Sequence, residues 1–105
     1  MTHGIKHDTG KPPILRGVSH YFPRAIEQVA AVSSFGVRKY AWRNGMTLEN
    51  AQERYGDALA RHLCVDAPNA TDDESGLLHA AHAAWNALAY LELLLRANET
   101  TEAES

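Results

Sequence analysis

Two imidazoles and an amide share one side of a long apolar segment in the C-terminal third of the chain. On a helix of about 100° per residue, His79, His82 and Asn86 fall on one face together with Ser75. The opposite side of the same segment carries leucine and alanine. Polar groups in such apolar surroundings need partners, so this row must meet either protein groups or a ligand.

A second apolar segment carries a matching histidine. His62 lies on the inner side of the pattern that begins near residue 48, and Arg61 adjoins it. Only a short acidic loop separates the two segments, and antiparallel packing across that loop would bring His62 near His79 and His82. The sequence therefore predicts a cluster of three histidines.

Three interpretations of this cluster stay open at the level of sequence. It can be a core network of hydrogen-bonded side chains, a metal site, or a site for the phosphates and base of a nucleotide. Histidines at i and i+3 can share a metal ion, but the chain has neither an HExxH nor a CxxC pattern, so we expect no metal and no cofactor. Of the three interpretations, we favour the nucleotide site.

Two basic and aromatic stretches favour the nucleotide as well. KHDTGKPP (6–13) places lysines around a glycine turn, and FGVRKYAWRNG (35–45) mixes basic side chains with aromatic rings. Aromatic faces stack on bases while basic side chains meet phosphates, although neither stretch is a Walker loop. We assign no catalytic residue. The predicted ligand-binding residues are Lys6, Lys11, Arg38, Lys39, Trp42, Arg43, Arg61, His62, His79, His82, Trp85 and Asn86.

Helices must position these residues, because nothing alternates with period two for long enough to be a strand. We predict an all-α bundle of three main helices in a domain spanning 19–97, between an extended N-terminal arm (1–18) and a polar tail (98–105). The first helix starts near Pro23 and breaks near Gly36, Thr47 caps the second, and the third spans about 74–97. Because the third helix is apolar nearly all round, we expect a homo-oligomer.

Charge and composition narrow the class of protein. The net charge of −3 conceals a basic front, since seven of the ten lysines and arginines precede residue 44. This distribution fits a local anion site better than a general or sequence-specific nucleic-acid binder. The single cysteine allows no internal disulfide, and no apolar run is long enough to span a membrane. We expect a cytoplasmic protein.

Four segments in order carry a family resemblance: KHDTGKPP, FGVRKYAWRNG, RHL and ESGLLHAAHAAWNALAYLELL. Over residues 5–95 the chain resembles the phage-encoded N-terminal domain of dATP/dGTP diphosphohydrolase, which is similar in outline to the all-α MazG-type nucleotide pyrophosphohydrolases. The resemblance implies a phage protein in the cytoplasm of the infected host, an α-helical fold and a purine nucleotide as the ligand.

Binding and hydrolysis remain alternatives within this resemblance. MazG-type enzymes hold magnesium with acidic ExxE and ExxD motifs, whereas this chain reads ESGLLH, with His79 where an acid is wanted. Histidines make a poor magnesium site, and we expect the acidic stripe Glu49, Glu53 and Asp57 to face solvent. We therefore favour nucleotide binding, with sequestration of a host immune signalling nucleotide (an anti-defence sponge) as its sharpest form. The alternatives are a magnesium-dependent (d)NTP diphosphohydrolase and a helical protein-interaction module.

Overall fold

The structure is a computed structural model that describes residues 10–40, 50–65, 67 and 69–104, and three main helices build this part of the chain. A π-helical turn at Leu15–Ser19 precedes α1 (Pro23–Tyr40), α2 (Ala51–Leu63) and α3 (His79–Glu104). Within those ranges no strand occurs, and the extended pairing is limited to one isolated bridge between Thr71 and Leu78. The predicted all-α fold with three main helices is confirmed. No helix of the described part is long and apolar enough to cross a membrane.

The central element is α3, which packs against both other helices. His62 and Tyr55 of α2 meet His79 and Trp85 of α3 respectively, so residue numbers rise along one helix as they fall along the other. The same order holds against α1, where Phe35 meets His82 and Ser33 meets Trp85. Both contacts with α3 are therefore antiparallel, as predicted for α2.

Small side chains let these helices approach closely. The buried apolar residues are Val32, Ala51, Ala81, Ala83 and Ala89. At Gly56 of α2, an added Cβ would lie 3.2 Å from Cε1 of Tyr90 on α3. Alanine and glycine at such contacts bring the two backbones together, which places the polar side chains at the end of α2 within reach of those that begin α3.

Two predictions about the N-terminal half are wrong. The extended arm does not reach residue 18, because Leu15–Ser19 forms a π-helical turn in which His20 N–H donates to Leu15 O at 2.9 Å. Helix α1 also does not break near Gly36 but continues to Tyr40. A single glycine costs a helix only about 1 kcal/mol, which α1 tolerates.

The second helix starts later than predicted. It begins at Ala51, and Asn50 occupies its N-cap position in a left-handed backbone conformation (φ 59°) without a side-chain capping hydrogen bond. Asparagine adopts this conformation more readily than most residues because its side chain is short and polar. Thr47, the predicted cap, lies outside the described residues.

Both ends of the third helix differ from the prediction. It begins at His79 rather than near residue 74, because Gly76 has a φ of 75° that no α-helix contains. It also runs on to Glu104 instead of ending at residue 97 in a polar tail. The chain has no glycine or proline after Gly76 that would stop it.

Candidate functional site

Three polar side chains from separate parts of the backbone meet where the end of α2 faces the start of α3. His62 lies in the last turn of α2, His79 is the first residue of α3, and Asp72 belongs to the turn between them. One ligand atom from each lies within 4.8 Å of the others, and all three residues are half-buried. We call these three residues and His82 the histidine cluster.

The imidazole rings of the cluster touch one another directly. Nδ1 of His62 lies 2.7 Å from Nδ1 of His79, close enough for a hydrogen bond with one shared proton. On its other side, the His62 ring stacks on His82, with centroids 4.8 Å apart and planes inclined by 17°. The predicted meeting of His62 with His79 and His82 is thus confirmed.

His82 is oriented by a hydrogen bond with Ser75. Oγ of Ser75 and Nε2 of His82 share a hydrogen bond of 2.6 Å, and the same Oγ accepts the Leu77 N–H at 3.1 Å. Only 6% of His82 is exposed, and the edge of the Phe35 ring packs against it. Ser75 lies in the turn and not on α3, but it joins the polar row as the sequence predicts.

The Asp72 carboxylate is fixed by its own turn. Its Oδ2 accepts the N–H groups of Glu74 and Ser75 at 3.1 and 3.0 Å, and Gly76 N–H donates to the Asp72 carbonyl at 2.8 Å. His79 N–H closes the loop by donating to Ala70 O at 3.0 Å. A short aspartate-anchored turn therefore sets the carboxylate beside the first residue of α3.

The electrostatics favour neutral rings at His62 and His82 beside an ionised Asp72 carboxylate. Burial lowers the pKa of His62, and the neighbouring His82 and His79 lower it further. Burial also lowers the pKa of His82, although the charge of Asp72 acts in the opposite direction. The N–H of Ser75, more than any other group, holds the pKa of Asp72 below its ordinary value. A neutral imidazole carries both one N–H donor and one lone pair, so these rings can donate to an anion or ligate a cation.

Two arginines flank the same end of the bundle. The charge of Arg61 acts on His62, lowering the pKa of that imidazole. The Arg38 guanidinium lies over the Phe35 ring, 5.6 Å from its centroid, and that ring contacts His82. Both arginines are exposed. Since the N-terminus of α3 carries the positive end of a helix dipole, this end of the molecule combines several features that attract anions.

Trp85 and Asn86, both predicted to contact the ligand, are engaged within the protein. The Trp85 Nε1–H donates to Ser33 Oγ at 2.7 Å, and its ring meets the Tyr55 ring edge-on with centroids 5.3 Å apart. The Asn86 amide donates to the His82 carbonyl at 2.8 Å and is 94% buried, with 6% exposed. Trp85 therefore ties α3 to α1 and α2, whereas the Asn86 hydrogen bond lies within α3.

The remaining predicted ligand-binding residues are Lys6, Lys11, Lys39, Trp42 and Arg43, and of these only the Lys11 side chain is described. Lys11 is exposed and precedes the π-helical turn. Lys6, Trp42 and Arg43 lie outside the described residues, as does the side chain of Lys39. Of the acidic stripe on α2, Glu53 and Asp57 are exposed as predicted, and Glu49 is not described.

Asp72 is the residue that reasoning from sequence missed. Its role depends on the turn, and the signal for it was present: an aspartate three residues before Ser75 and four before Gly76 is typical of a turn closed by the aspartate side chain. Helical periodicity extended through residues 74–78 concealed that signal. Together, His62, Asp72 and His79 can share a proton, donate an imidazole N–H to a phosphate, or hold a metal ion.

Comparison with known proteins agrees with the resemblance drawn from the sequence. A protein of Salmonella phage PMBT28 named dATP/dGTP diphosphohydrolase is 41% identical over 100 residues, which are 94% of this chain and 32% of that relative. The chain thus spans 32% of the relative's length. No solved structure matches this chain. The family model for the N-terminal part of dATP/dGTP diphosphohydrolase matches residues 1–103, nearly the whole chain. This protein belongs to the dATP/dGTP diphosphohydrolase N-terminal family.

Proposed function

We propose that this protein binds a phosphorylated purine nucleotide, with the phosphates at the histidine cluster. The observation that carries the proposal is the convergence of His62, His79 and His82 with Arg61 at the start of α3. Imidazoles and a guanidinium supply N–H donors, and the helix terminus adds a favourable dipole. A half-buried cluster gives these donors more strength than fully solvated side chains would have.

The family supplies the class of ligand. The relative in Salmonella phage PMBT28 carries a name that specifies dATP and dGTP, and both are purine nucleoside triphosphates. Arg38 stands at the same end of the bundle as Arg61, which provides positive charge for a chain of several phosphates. Capture of a host signalling nucleotide without cleavage is the most specific form of this proposal, and it is supported by the composition of the histidine cluster, which combines three imidazoles with the single carboxylate of Asp72.

Hydrolysis of a purine (d)NTP to the monophosphate is the second candidate. It is favoured by the printed name of the relative and by Asp72, which together with His62 and His79 forms a set of possible metal ligands. A metal ion held by these residues would supply a bound water as the nucleophile at neutral pH. The two candidates share a ligand. They differ in whether the nucleotide is released unchanged or as hydrolysis products.

A nucleotide panel separates the candidates. The purified protein is incubated with linear and cyclic purine nucleotides, with and without Mg²⁺ or Zn²⁺, and the solution is chromatographed before and after heating. Capture predicts that nucleotide disappears from the free fraction and returns intact on heating. Products that appear before heating establish hydrolysis. If every nucleotide stays free and unaltered, the proposal is wrong.

Arg61→Ala tests where the phosphates lie. Removal of a charged donor to a phosphate should weaken binding by about 1.5–3 kcal/mol, roughly tenfold to a hundredfold, in a calorimetric titration. Arg24→Ala is the matched control, since Arg24 is an equally exposed arginine at the opposite end of α1 from Arg38. Equal affinities of the two variants would place the phosphates away from the cluster.

A further inference from the structure

We propose that His62, Asp72 and His79 bind a divalent transition-metal ion, with Zn²⁺ as the best match. Among the residues that the structure describes, this is the group whose histidine and carboxylate ligand atoms converge, all within 4.8 Å of one another. The inference goes beyond nucleotide binding and does not depend on it, because the site is defined by protein atoms alone.

The donor set selects the class of metal. Two imidazole nitrogens and one carboxylate oxygen suit zinc and its neighbours, whereas magnesium and calcium prefer oxygen ligands throughout. Neither an HExxH nor a CxxC pattern is needed, since the ligands come from α2, the turn and α3. The sequence-based expectation of no metal rested on short motifs. Such motifs do not detect ligands that come from separate parts of the chain, as these three do.

The spacing of the two ligand nitrogens is close to the spacing that a bound ion requires. In a tetrahedral zinc site with Zn–N distances of about 2.0–2.1 Å, two ligating nitrogens lie about 3.3 Å apart. The Nδ1 atoms of His62 and His79 are 2.7 Å apart. An increase of about 0.6 Å in this distance would let an ion replace the proton that the two rings now share. The ligand atoms of all three residues lie within 4.8 Å of one another, so the Asp72 oxygen need approach the nitrogens by no more than about 1.5 Å.

Neighbouring groups orient the ligands as they do in metal sites. Oδ2 of Asp72 is fixed by the N–H groups of Glu74 and Ser75, and the His62 ring is stacked on His82. His82 itself is bound to Ser75, and therefore supports the site instead of ligating the ion. Such supporting contacts set ligand orientation and contribute to metal affinity. Three protein ligands leave one position of a tetrahedral ion for water or a phosphate oxygen.

Titration of the metal-free protein with Co²⁺, a visible substitute for Zn²⁺, tests the proposal. We expect one Co²⁺ per chain with the intense visible absorption of a four-coordinate site, displacement by Zn²⁺, and a higher melting temperature in Zn²⁺. His62→Gln, Asp72→Asn and His79→Gln should each abolish equimolar binding while circular dichroism shows the helices retained. Ser75→Ala, which leaves all three ligands in place, should weaken binding only about 10–100-fold.

Histidines elsewhere provide the controls. His20→Ala removes an exposed imidazole distant in sequence from the cluster, and His3→Ala/His7→Ala removes the two nearest the N-terminus. Both variants should bind Co²⁺ as the unaltered protein does. The proposal is overturned if the unaltered protein binds no Co²⁺, or if the His3/His7 variant loses the ion while His62→Gln and His79→Gln keep it.

Discussion

Single side chains in the histidine cluster determine one another's charge. His82 is buried between Phe35 and His62, and its Nε2 bonds Ser75, so a proton added to it has little access to water. Burial therefore lowers its pKa below the ordinary 6.5, His79 lowers it further, and Asp72 and Glu74 offset part of the effect. The pKa of His62 is lowered as well. The folded protein thus holds fewer protons on these rings than the unfolded chain.

We expect stability to fall with acidification in the absence of metal. A group whose folded pKa is depressed stabilises the protein fully above its unfolded pKa, here 6.5, and this contribution is lost as the pH falls toward the folded value. With a chelator present, the melting temperature should be lower near pH 5.5 than near pH 7.5, and His82→Gln should show a smaller difference. A melting temperature that rises on acidification would contradict this assignment of charges.

At the scale of elements, the turn between α2 and α3 decides whether Asp72 meets the histidines. Gly76 adopts a φ of 75°, and its N–H donates to the Asp72 carbonyl. Any side chain at that backbone conformation is strained by about 1–2 kcal/mol. Gly76→Ala should therefore destabilise the protein by about that amount in chemical denaturation. It should also weaken whatever the cluster binds, because the carboxylate depends on the turn.

Gly36→Ala is the matched control, because Gly36 is helical and an added Cβ would meet nothing within 4 Å. Alanine favours a helix over glycine by about 1 kcal/mol, so this variant should be more stable than the unaltered protein. The two substitutions are chemically identical, and opposite signs are expected. Stabilisation by Gly76→Ala would show that the turn is not held in the left-handed conformation.

At the scale of the whole molecule, the leucine stripe of α3 is left half open. Leu88, Leu91 and Leu95 are 53%, 51% and 50% exposed, while the buried residues of α3 are Ala81, Ala83 and Ala89 together with His82 and Asn86. With Val29 and Trp85 they line a groove of about 360 Å³ between α1 and α3. We propose that a second copy of the chain covers this stripe, because a long apolar surface left in water favours self-association.

Light scattering should accordingly report a mass above the 11.6 kDa of one chain at micromolar concentration. Leu91→Asp places a charge in the centre of the stripe and should shift the protein toward the monomer, with the helices retained by circular dichroism. Leu63→Asp is the control, since Leu63 is 68% exposed but ends α2 outside the groove. A monomeric mass for the unaltered protein would refute self-association through α3.

The sequence by itself determined the helical class and the pairing of His62 with the His79 and His82 row. Both follow from local periodicity, and the short loop between the segments leaves antiparallel packing as the simple solution. It also located the start of α1, because Pro23 suits a first helical turn.

Only the tertiary structure decided which polar side chains meet in the histidine cluster and which are already hydrogen-bonded elsewhere in the protein. The position of Asp72 depends on the Gly76 turn, whose closure requires contacts between residues 70 and 79. Likewise, the bond from Trp85 to Ser33 joins residues 52 positions apart, which no periodicity can indicate. Periodicity indicates which face of a helix a residue occupies. The residues that it contacts on the neighbouring helix depend on how closely the two helices pack, and here alanine and glycine set that distance.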